Sequence, residues 1–316
     1  MVKISDSGAF TNKNNKILNI CQKCLTAVFL WVKILYPLAK RFIAGYSFDS
    51  AKSTIENLLD SGYEVSIDYV GEESKTQEDC RKAFSQYLKI IEYFKNKKIN
   101  ISIKPSQLGM KIHPHLSLLF IGGIAKKAKS FGHTIRLDME DSTLTELTRN
   151  LALSLNKKYK NVGVAVQANL HRTEKDLFYL IKKRVSVRLV KGAYKESKEI
   201  AYQEDHKIEA QFYHLAATLY SRKANEPAIA THDEELLEDI RDLIPNPDYF
   251  DYEFLYGVRR DLQRDFKNKG HRVRIYVPFG ESWLPYVIRR LKEWRNLKFV
   301  IKNIFKEMIR WETKTN

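Results

Sequence analysis

Short runs of β-branched residues alternate with longer amphipathic stretches from Val65 onward. This alternation is typical of βαβ units, in which a helix returns the chain to the next parallel strand. The runs predict strands over residues 65–68, 101–104, 134–138, 162–166, 185–189, 228–230, 249–252 and 273–276. The stretches between them predict helices, among which are residues 76–94, 142–155, 173–183, 200–222, 234–243, 257–266 and 283–293.

Eight strand–helix pairs over residues 65–293 match the number of units and the length of a closed (β/α)8 barrel. A glycine-rich GxGxxG turn does not follow the first predicted strand, which makes a doubly wound dinucleotide-binding fold the weaker alternative. The pattern therefore predicts an α/β protein with a TIM-like barrel. Residues 1–64 are predicted to form an N-terminal helical segment packed on a barrel of residues 65–316, whose C-terminal helix covers residues 297–311.

The chain is strongly basic, because 54 Lys and Arg residues outnumber 38 Asp and Glu residues and give a formal net charge of +16. Its 44% hydrophobic and 29% charged residues exclude a disordered tail protein and an integral membrane bundle. The charge suits nucleic acid, an anionic membrane surface or an anionic ligand, and composition does not choose among these three.

The N-terminal region bears on the compartment and on metal binding. Residues 1–16 lack the apolar core of a secretory signal, and three cysteines cannot form a disulfide framework, so we expect a reducing, cytoplasmic location. Cys21 and Cys24 have CxxC spacing without a second Cys or His pair nearby, so no metal site is expected. The apolar stretch 25–39, interrupted by Lys33, is too short to span a bilayer and predicts a packed or surface-lying helix.

In a (β/α)8 barrel the active site lies at the carboxyl ends of the strands. Polar residues stand at seven of the eight predicted ends. They are Asp68, Lys104, Asp138 with Glu140, Gln167, Arg188 with Lys191, Thr231 with His232, and Tyr276. A single polar residue at a strand end is often only solvated, but seven such ends facing one mouth indicate a functional site.

The charges at these strand ends indicate the kind of ligand. Lys104, Arg188, Lys191 and His232 would face one mouth, which suits phosphates or carboxylates. Gly192 follows a basic strand end, where the backbone can approach a pyrophosphate closely. We therefore expect an anionic ligand at the barrel mouth.

The predicted helix 283–293 carries a second basic cluster. Arg289 and Arg290 are adjacent, and Tyr286 and Glu293 lie three or four residues away on the same helix. From the pattern alone, a solvated basic face is the simpler interpretation, because paired arginines are common on surface helices.

Six motifs stand in order along the chain: RFIAG (41–45), SIKPSQLG (102–109), LDME (137–140), RLVKGAY (188–194), ATHD (230–233), and YVPFG with YVIRRLKE (276–280 and 286–293). Together they resemble the flavin-dependent proline dehydrogenases, and the resemblance extends over residues 37–305. The chain length is similar to that of the monofunctional bacterial form. The resemblance implies a flavin-binding (β/α)8 barrel.

The resemblance also implies a pocket for L-proline. Arg289 and Arg290 would clamp the proline carboxylate as planar guanidinium forks, held in place by Glu293. Tyr276 would disfavour a hydroxylated ring, and Asp138 would orient the substrate side of the flavin. The residues implied to contact substrate are Lys104, Leu255, Tyr276, Tyr286, Arg289, Arg290 and Glu293. The residues implied to be catalytic are Lys104, Asp138, Tyr276, Tyr286, Arg289 and Arg290.

FAD is the cofactor that the resemblance implies. Gln167 and Arg188 would hydrogen-bond to the isoalloxazine ring, with Arg188 near N5. Thr231 and His232 would contact the adenosine part. The residues implied to line the phosphates and the ribityl chain are Val190, Lys191, Gly192 and Ala193.

The implied reaction is oxidation of L-proline to 1-pyrroline-5-carboxylate, with hydride transfer to flavin N5. The electrons would pass to a quinone-type acceptor in a membrane. This acceptor gives the apolar, basic residues 25–41 and the +16 charge a use, namely peripheral contact with the inner face of an anionic membrane.

The chain departs from the family pattern at two places. The family commonly has Glu-Phe-Gln where this chain has Asp251, Tyr252 and Glu253, and Asn where this chain has Asp233. These departures bear on local flavin or adenine contacts rather than on the reaction.

Two alternatives come from other functional classes. A nucleic-acid-binding protein could use the basic charge with 17 Tyr and 16 Phe, but these aromatic residues are spread along the chain without a recognised motif, so no nucleic-acid partner is expected. A flavin barrel acting on a folate or another cyclic amino acid would share the fold without needing Tyr286 beside Arg289 and Arg290.

Overall fold

The computed structural model describes residues 40–71, 73–244 and 246–293, and the side chains of residues 289–293 lie outside this description. The chain divides into two compact units, Met1–Arg41 and Phe42–Asn316, and the elements below belong to the second unit. The predicted helices at residues 25–39 and 297–311 and the pair Cys21 and Cys24 lie outside the described residues.

Eight parallel strands close into a barrel within the described residues, with each strand paired to the next and the last paired to the first. This arrangement confirms the predicted (β/α)8 fold, and every predicted strand lies within three residues of its observed bounds. The strands are β1 (Glu64–Tyr69), β2 (Asn100–Ile103), β3 (Thr134–Leu137), β4 (Val162–Gln167), β5 (Val187–Val190), β6 (Ala228–Ala230), β7 (Asp251–Leu255) and β8 (Arg272–Phe279).

Helices surround the barrel, and a short 3-10 helix, Pro105–Leu108, follows β2. The α-helices in the described part of the chain are α1 (Phe48–Asp60), α2 (Gln77–Tyr93), α3 (Pro114–Ser130), α4 (Ser142–Tyr159), α5 (Thr173–Lys182), α6 (Asp205–Ser221), α7 (Glu234–Leu243), α8 (Arg260–Asn268) and α9 (Trp283–Glu293). The helix α3, which contains Gly122 and Gly123 near its centre, is not among the helices named from the sequence.

The strands are covered on both faces, which explains why they read as nearly continuous apolar runs. All six residues of β4 are buried. The helix α1, which begins at a capping box between Ser47 and Ser50, packs against β1 and β8. Its Phe48 ring lies 5.8 Å from the ring of Phe279 on β8. Burial of one such side chain stabilises the fold by roughly 1.5–3 kcal/mol.

The predicted start of a helix at residue 200 is wrong, because α6 begins at Asp205. Residues 191–204, which we call the strap, form an irregular segment between β5 and α6. The Tyr202 N–H donates to the Asn169 carbonyl at 2.8 Å, and Ala201 forms an antiparallel bridge with Leu170. These contacts tie the strap to the segment that follows β4.

The predicted start of a helix at residue 257 is also wrong. Gly257 and Arg259 have positive φ angles of 74° and 50°, which interrupt a right-handed helix, and α8 begins at Arg260.

At α4 the predicted start at Ser142 is correct, and Asp141 caps it by accepting a hydrogen bond from the Thr143 N–H at 3.1 Å.

Candidate active site

A cavity of about 890 Å³ opens at the carboxyl ends of the barrel strands. The family resemblance implies sixteen site residues, and thirteen of them line this cavity. They are Lys104, Asp138, Gln167, Arg188, Val190, Lys191, Gly192, Ala193, Thr231, His232, Leu255, Tyr276 and Tyr286. The other three, Arg289, Arg290 and Glu293, lie on α9, and their side chains are outside the described residues. The volume is at the upper end for small-molecule sites and suits a dinucleotide-sized ligand.

Lys104, which follows β2, is the centre of a buried polar cluster. Its Nζ lies 2.9 Å from Asp68 Oδ1 and 3.3 Å from Asp138 Oδ2. The same Nζ lies 3.3 Å from the hydroxyl of Tyr276, which donates to Asp138 Oδ2 at 2.7 Å. The barrel thus brings the ends of β1, β2 and β3 to one point with the middle of β8. The prediction that Tyr276 ends the eighth strand is wrong, because β8 continues to Phe279.

Arg188 on β5 meets this cluster from the opposite side of the barrel. Its guanidinium forms an ion pair with Asp138 and another with Glu253 Oε1, at 2.8 Å for the latter. It also donates to Ser102 Oγ at 3.2 Å and lies 5.2 Å from the centre of the Tyr276 ring. These partners hold the guanidinium plane in a fixed orientation at the cavity floor.

The cluster fixes the protonation states of its members. Burial raises the pKa of Asp138, but the positive charges of Arg188 and Lys104 outweigh burial and lower that pKa to about 2. Burial and the negative charges of Asp138 and Asp68 raise the pKa of Tyr276 well above its ordinary value. Burial also raises the pKa of Asp68, and the charge of Lys104 offsets this in part. Asp138 is therefore a carboxylate and Tyr276 a neutral phenol at neutral pH.

Gln167 ends β4 beside a second buried carboxylate. The Gln167 side-chain amide donates to the backbone carbonyl of Glu140 at 3.1 Å. The Glu140 carboxylate in turn accepts hydrogen bonds from the Ser106 N–H, at 2.9 Å, and from the Ser106 hydroxyl. This chain of bonds ties β4 to the loops that follow β2 and β3.

Lys191 lies at the outer part of the cavity between two carboxylates. Its Nζ is 2.6 Å from Asp233 Oδ2 and 2.9 Å from Glu209 Oε1. Burial lowers the pKa of Lys191, but the two carboxylates outweigh burial and raise it. Asp233 also caps α7 by accepting from the Leu236 N–H at 3.3 Å. A bound phosphate would therefore share Lys191 with Asp233 and Glu209.

His232 and Gly192 shape the cavity through the backbone. The His232 Nε2 accepts a hydrogen bond from the Leu255 N–H at 3.0 Å, which orients the imidazole between β6 and β7. Gly192 has a φ of +116°, and a Cβ built there would lie 2.1 Å from Asn169 Oδ1. A side chain here would have a strained backbone angle and would displace the Asn169 amide, and glycine avoids both while it leaves the backbone uncovered in the cavity.

The strap forms one wall of the cavity through Tyr194, Glu196 and Tyr202, among others. The Glu196 carboxylate accepts hydrogen bonds from the Ser142 N–H at 2.8 Å and from the Ser142 hydroxyl at 2.6 Å. A carboxylate at a helix N-terminus is stabilised by the helix dipole, so Glu196 fastens the strap to α4.

Several residues of the site were absent from the set chosen from the sequence. They are Ser102, Arg136, Asn169, Glu196, Glu209 and Glu253. Three of them were within reach of a simple rule, because residues two apart on a strand share a face. Ser102 stands two before Lys104, Arg136 two before Asp138, and Glu253 two before Leu255. Asn169, Glu196 and Glu209 lie in a loop, the strap and α6, where this rule does not apply.

Comparison with known proteins decides the family. Residues 51–301 match the family model described as proline dehydrogenase. The chain belongs to the proline dehydrogenase family. Proline dehydrogenase 1 of Bacillus subtilis (strain 168) is 30% identical over 276 residues, which cover 85% of this chain and 91% of that protein. Proline dehydrogenase of Deinococcus radiodurans is 33% identical over 284 residues, which cover 86% of this chain and 91% of that protein.

A solved structure supports the same fold. The crystal structure of proline utilization A (PutA) from Bdellovibrio bacteriovorus, inactivated by N-propargylglycine, superposes with a TM-score of 0.75 at 21% identity. The match covers 82% of this chain and 33% of that chain. The protein is therefore a proline dehydrogenase, an oxidoreductase of proline catabolism with a TIM-like barrel.

Two further findings concern metals and membranes. The described residues contain no group of three or more His, Cys, Asp or Glu side chains that could hold a metal ion. A search of the same residues finds no helix with the length and apolar character needed to cross a bilayer.

Proposed function

We propose that the protein binds FAD and oxidises L-proline to 1-pyrroline-5-carboxylate. The observation that carries this proposal is the single cavity of about 890 Å³ that joins the Lys104–Asp138–Tyr276 cluster to the bare backbone at Gly192. The first part suits a zwitterionic amino acid, and the second suits the phosphates of a dinucleotide. When bound, FAD supplies the two-electron acceptor for hydride transfer at N5.

The residues of the cavity divide between the two ends of the cofactor. Gln167 and Arg188 would hold the isoalloxazine ring, since both line the cavity and the buried Arg188 Nε–H has no hydrogen-bond partner among the described residues. Val190, Lys191, Gly192 and Ala193 would line the ribityl chain and phosphates, and Thr231 with His232 would contact the adenosine part. The fit is supported by Gly192, which lines the cavity without a side chain between its backbone and a ligand.

The substrate side would lie between the buried cluster and α9. Lys104 provides a positive charge for the proline carboxylate, and Arg289 and Arg290 are proposed to complete the clamp with Glu293 behind them. Leu255, Tyr276 and Tyr286 would pack on the pyrrolidine ring. Tyr276 and Tyr286 are 9% and 4% exposed, so both rings can exclude water from the reacting bond.

An anaerobic titration tests this proposal. The purified protein, supplied with FAD, should show flavin absorbance that bleaches on addition of L-proline. A yellow protein that L-proline leaves unchanged would indicate another substrate for the barrel. A protein that takes up no flavin would contradict the proposal outright.

The pH profile of the reaction is expected to rise toward alkaline pH. Asp138, with a pKa of about 2, is ionised from pH 6 to 9, and Tyr276, with its raised pKa, stays neutral over the same range. Neither group titrates there, so the proton that must leave the substrate amine controls the rate. We expect kcat/KM to increase by roughly tenfold per pH unit between pH 6 and 9. A flat profile would show that proton loss from the amine does not limit the reaction.

We further propose that the electrons pass to a quinone and that the protein contacts an anionic membrane peripherally. The net charge of +16 supports this proposal, because basic surfaces bind anionic headgroups. The protein should cosediment with vesicles that contain anionic lipid at low salt and dissociate as salt screens the charges. Vesicles of neutral lipid are the control, and equal binding to both would contradict an electrostatic contact.

A further inference from the structure

Six buried side chains form an alternating chain of charges across the barrel interior. In order of contact they are Asp68, Lys104, Asp138, Arg188, Glu253 and Arg136. Each is at most 9% exposed. Three of these side chains are acidic and three are basic, so their formal charges sum to zero. A buried charge is costly unless an opposite charge compensates it. The neutrality of the cluster therefore depends on all six side chains together.

Glu253 links Arg136, the last side chain of this series of contacts, to Arg188. Its Oε1 lies 2.8 Å from Arg188 NH1, and its Oε2 lies 3.2 Å from Arg136 NH1. Glu253 lies on β7, two residues before Leu255, and therefore points into the barrel on the same side. Both oxygens are thus committed to different guanidinium groups.

The charge of Glu253 is needed because Asp138 is already shared. Asp138 contacts Lys104, Arg188 and the Tyr276 hydroxyl, so it cannot compensate a further cation. Without the Glu253 carboxylate, two buried guanidinium groups would keep one carboxylate between them. The five remaining charged side chains would then have a net formal charge of +1.

We propose that Glu253 is a positioning residue that orients Arg188 toward the flavin and sets the local charge there to zero. This inference rests on the proposed function, in which Arg188 contacts the isoalloxazine ring. Reduction places negative charge on the flavin, so a positive charge added to the cluster favours reduction and a negative charge disfavours it. Glu253 and Arg136 therefore act on the flavin with opposite sign, although neither is a catalytic residue.

Sulfite titration of the holoenzyme tests this inference without turnover. Sulfite donates its sulfur lone pair to flavin N5 and leaves a negative charge on the ring, so its dissociation constant reports the local charge. We expect Glu253→Gln to tighten sulfite binding by roughly tenfold, or about 1.4 kcal/mol, and Arg136→Met to weaken it by roughly tenfold. The double variant, which is again neutral, should bind sulfite as the unaltered protein does. The flavin reduction potential should shift upward in the first variant and downward in the second.

A purely structural role would give a different pattern, because loss of either partner would then change sulfite binding in the same direction. Glu238→Gln, on the exposed side of α7, is the control and should leave sulfite binding unchanged. If Glu253→Gln alone does not fold, adding it to Arg136→Met should still tighten sulfite binding by roughly tenfold. Equal dissociation constants in a proline-reducible protein would overturn this inference alone. A protein that takes up no FAD would overturn the proposed function and this inference together.

Discussion

Replacing Asp138 by asparagine is expected to remove most of the activity and to destabilise the barrel. The side chain accepts a hydrogen bond from Tyr276 at 2.7 Å and pairs with both Arg188 and Lys104. Asparagine would keep the shape but leave two buried cations without their shared anion, which typically costs about 3–5 kcal/mol. Because these cations also face flavin and substrate in the proposed function, kcat/KM for L-proline should fall by on the order of a thousandfold.

The measurements are steady-state kinetics with L-proline and the urea midpoint of unfolding. Asp49→Asn is the matched control, since Asp49 is exposed on α1 and pairs with Lys52 on the surface. Surface pairs contribute about 0–1 kcal/mol, so the control should retain stability and activity. An Asp138→Asn protein within tenfold of the unaltered kcat/KM would show that the carboxylate charge is not required.

The strands were predictable because of how a closed parallel barrel buries its residues. Runs such as residues 162–166 are apolar throughout, since they face the barrel interior on one side and helices on the other. Polar residues then appear where a run ends, as at Lys104 and Gln167. Closure of the barrel brings these strand ends together at one mouth, so residues far apart in the sequence form one site.

The burial and pairing of the interior charges were not predictable in the same way, although their face of the strand was. Arg136 and Glu253 stand in the middle of strands, where alternation of apolar and polar residues ordinarily indicates a solvent-exposed face. They are 117 positions apart in the chain, and their pairing depends on the register of β3 and β7 around the barrel. A buried charged residue looks like a surface residue in the sequence, because its ion-pair partner lies far along the chain and meets it only in the folded barrel.

In the strap, a helix was predicted where the structure has none. Residues 200–204 read as part of a helix because the amphipathic pattern continues into α6. Their backbone groups instead bond to the segment after β4, as in the Tyr202 N–H to Asn169 carbonyl bond of 2.8 Å. A tertiary contact thus overrides local helix propensity, which is a weak preference per residue.

Gly192→Ala is expected to displace the strap from the cavity and to weaken FAD binding. The residue has a φ of +116°, and its new Cβ would lie 2.1 Å from Asn169 Oδ1. The Cβ would also lie 2.4 Å from Asn169 Cγ and 2.8 Å from Asn169 Nδ2, so the whole side-chain amide must move while its backbone stays bonded to Lys191 and Tyr202. Strain of about 1–3 kcal/mol at a site that contacts the ligand corresponds to a loss of roughly tenfold to a hundredfold in FAD affinity.

Gly132→Ala separates the effect of the clash from that of the backbone angle. Gly132 also has a positive φ, +73°, but no atom lies within 4 Å of a Cβ built there. This control should lose about 1 kcal/mol of stability and no FAD affinity. FAD affinity is measured by titration of the apoprotein, with thermal unfolding as the second reading. Adding Asn169→Ala to Gly192→Ala removes the clashing oxygen and should restore part of the affinity. Equal FAD loss in both glycine variants would mean that general destabilisation, rather than displacement of the strap, weakens cofactor binding.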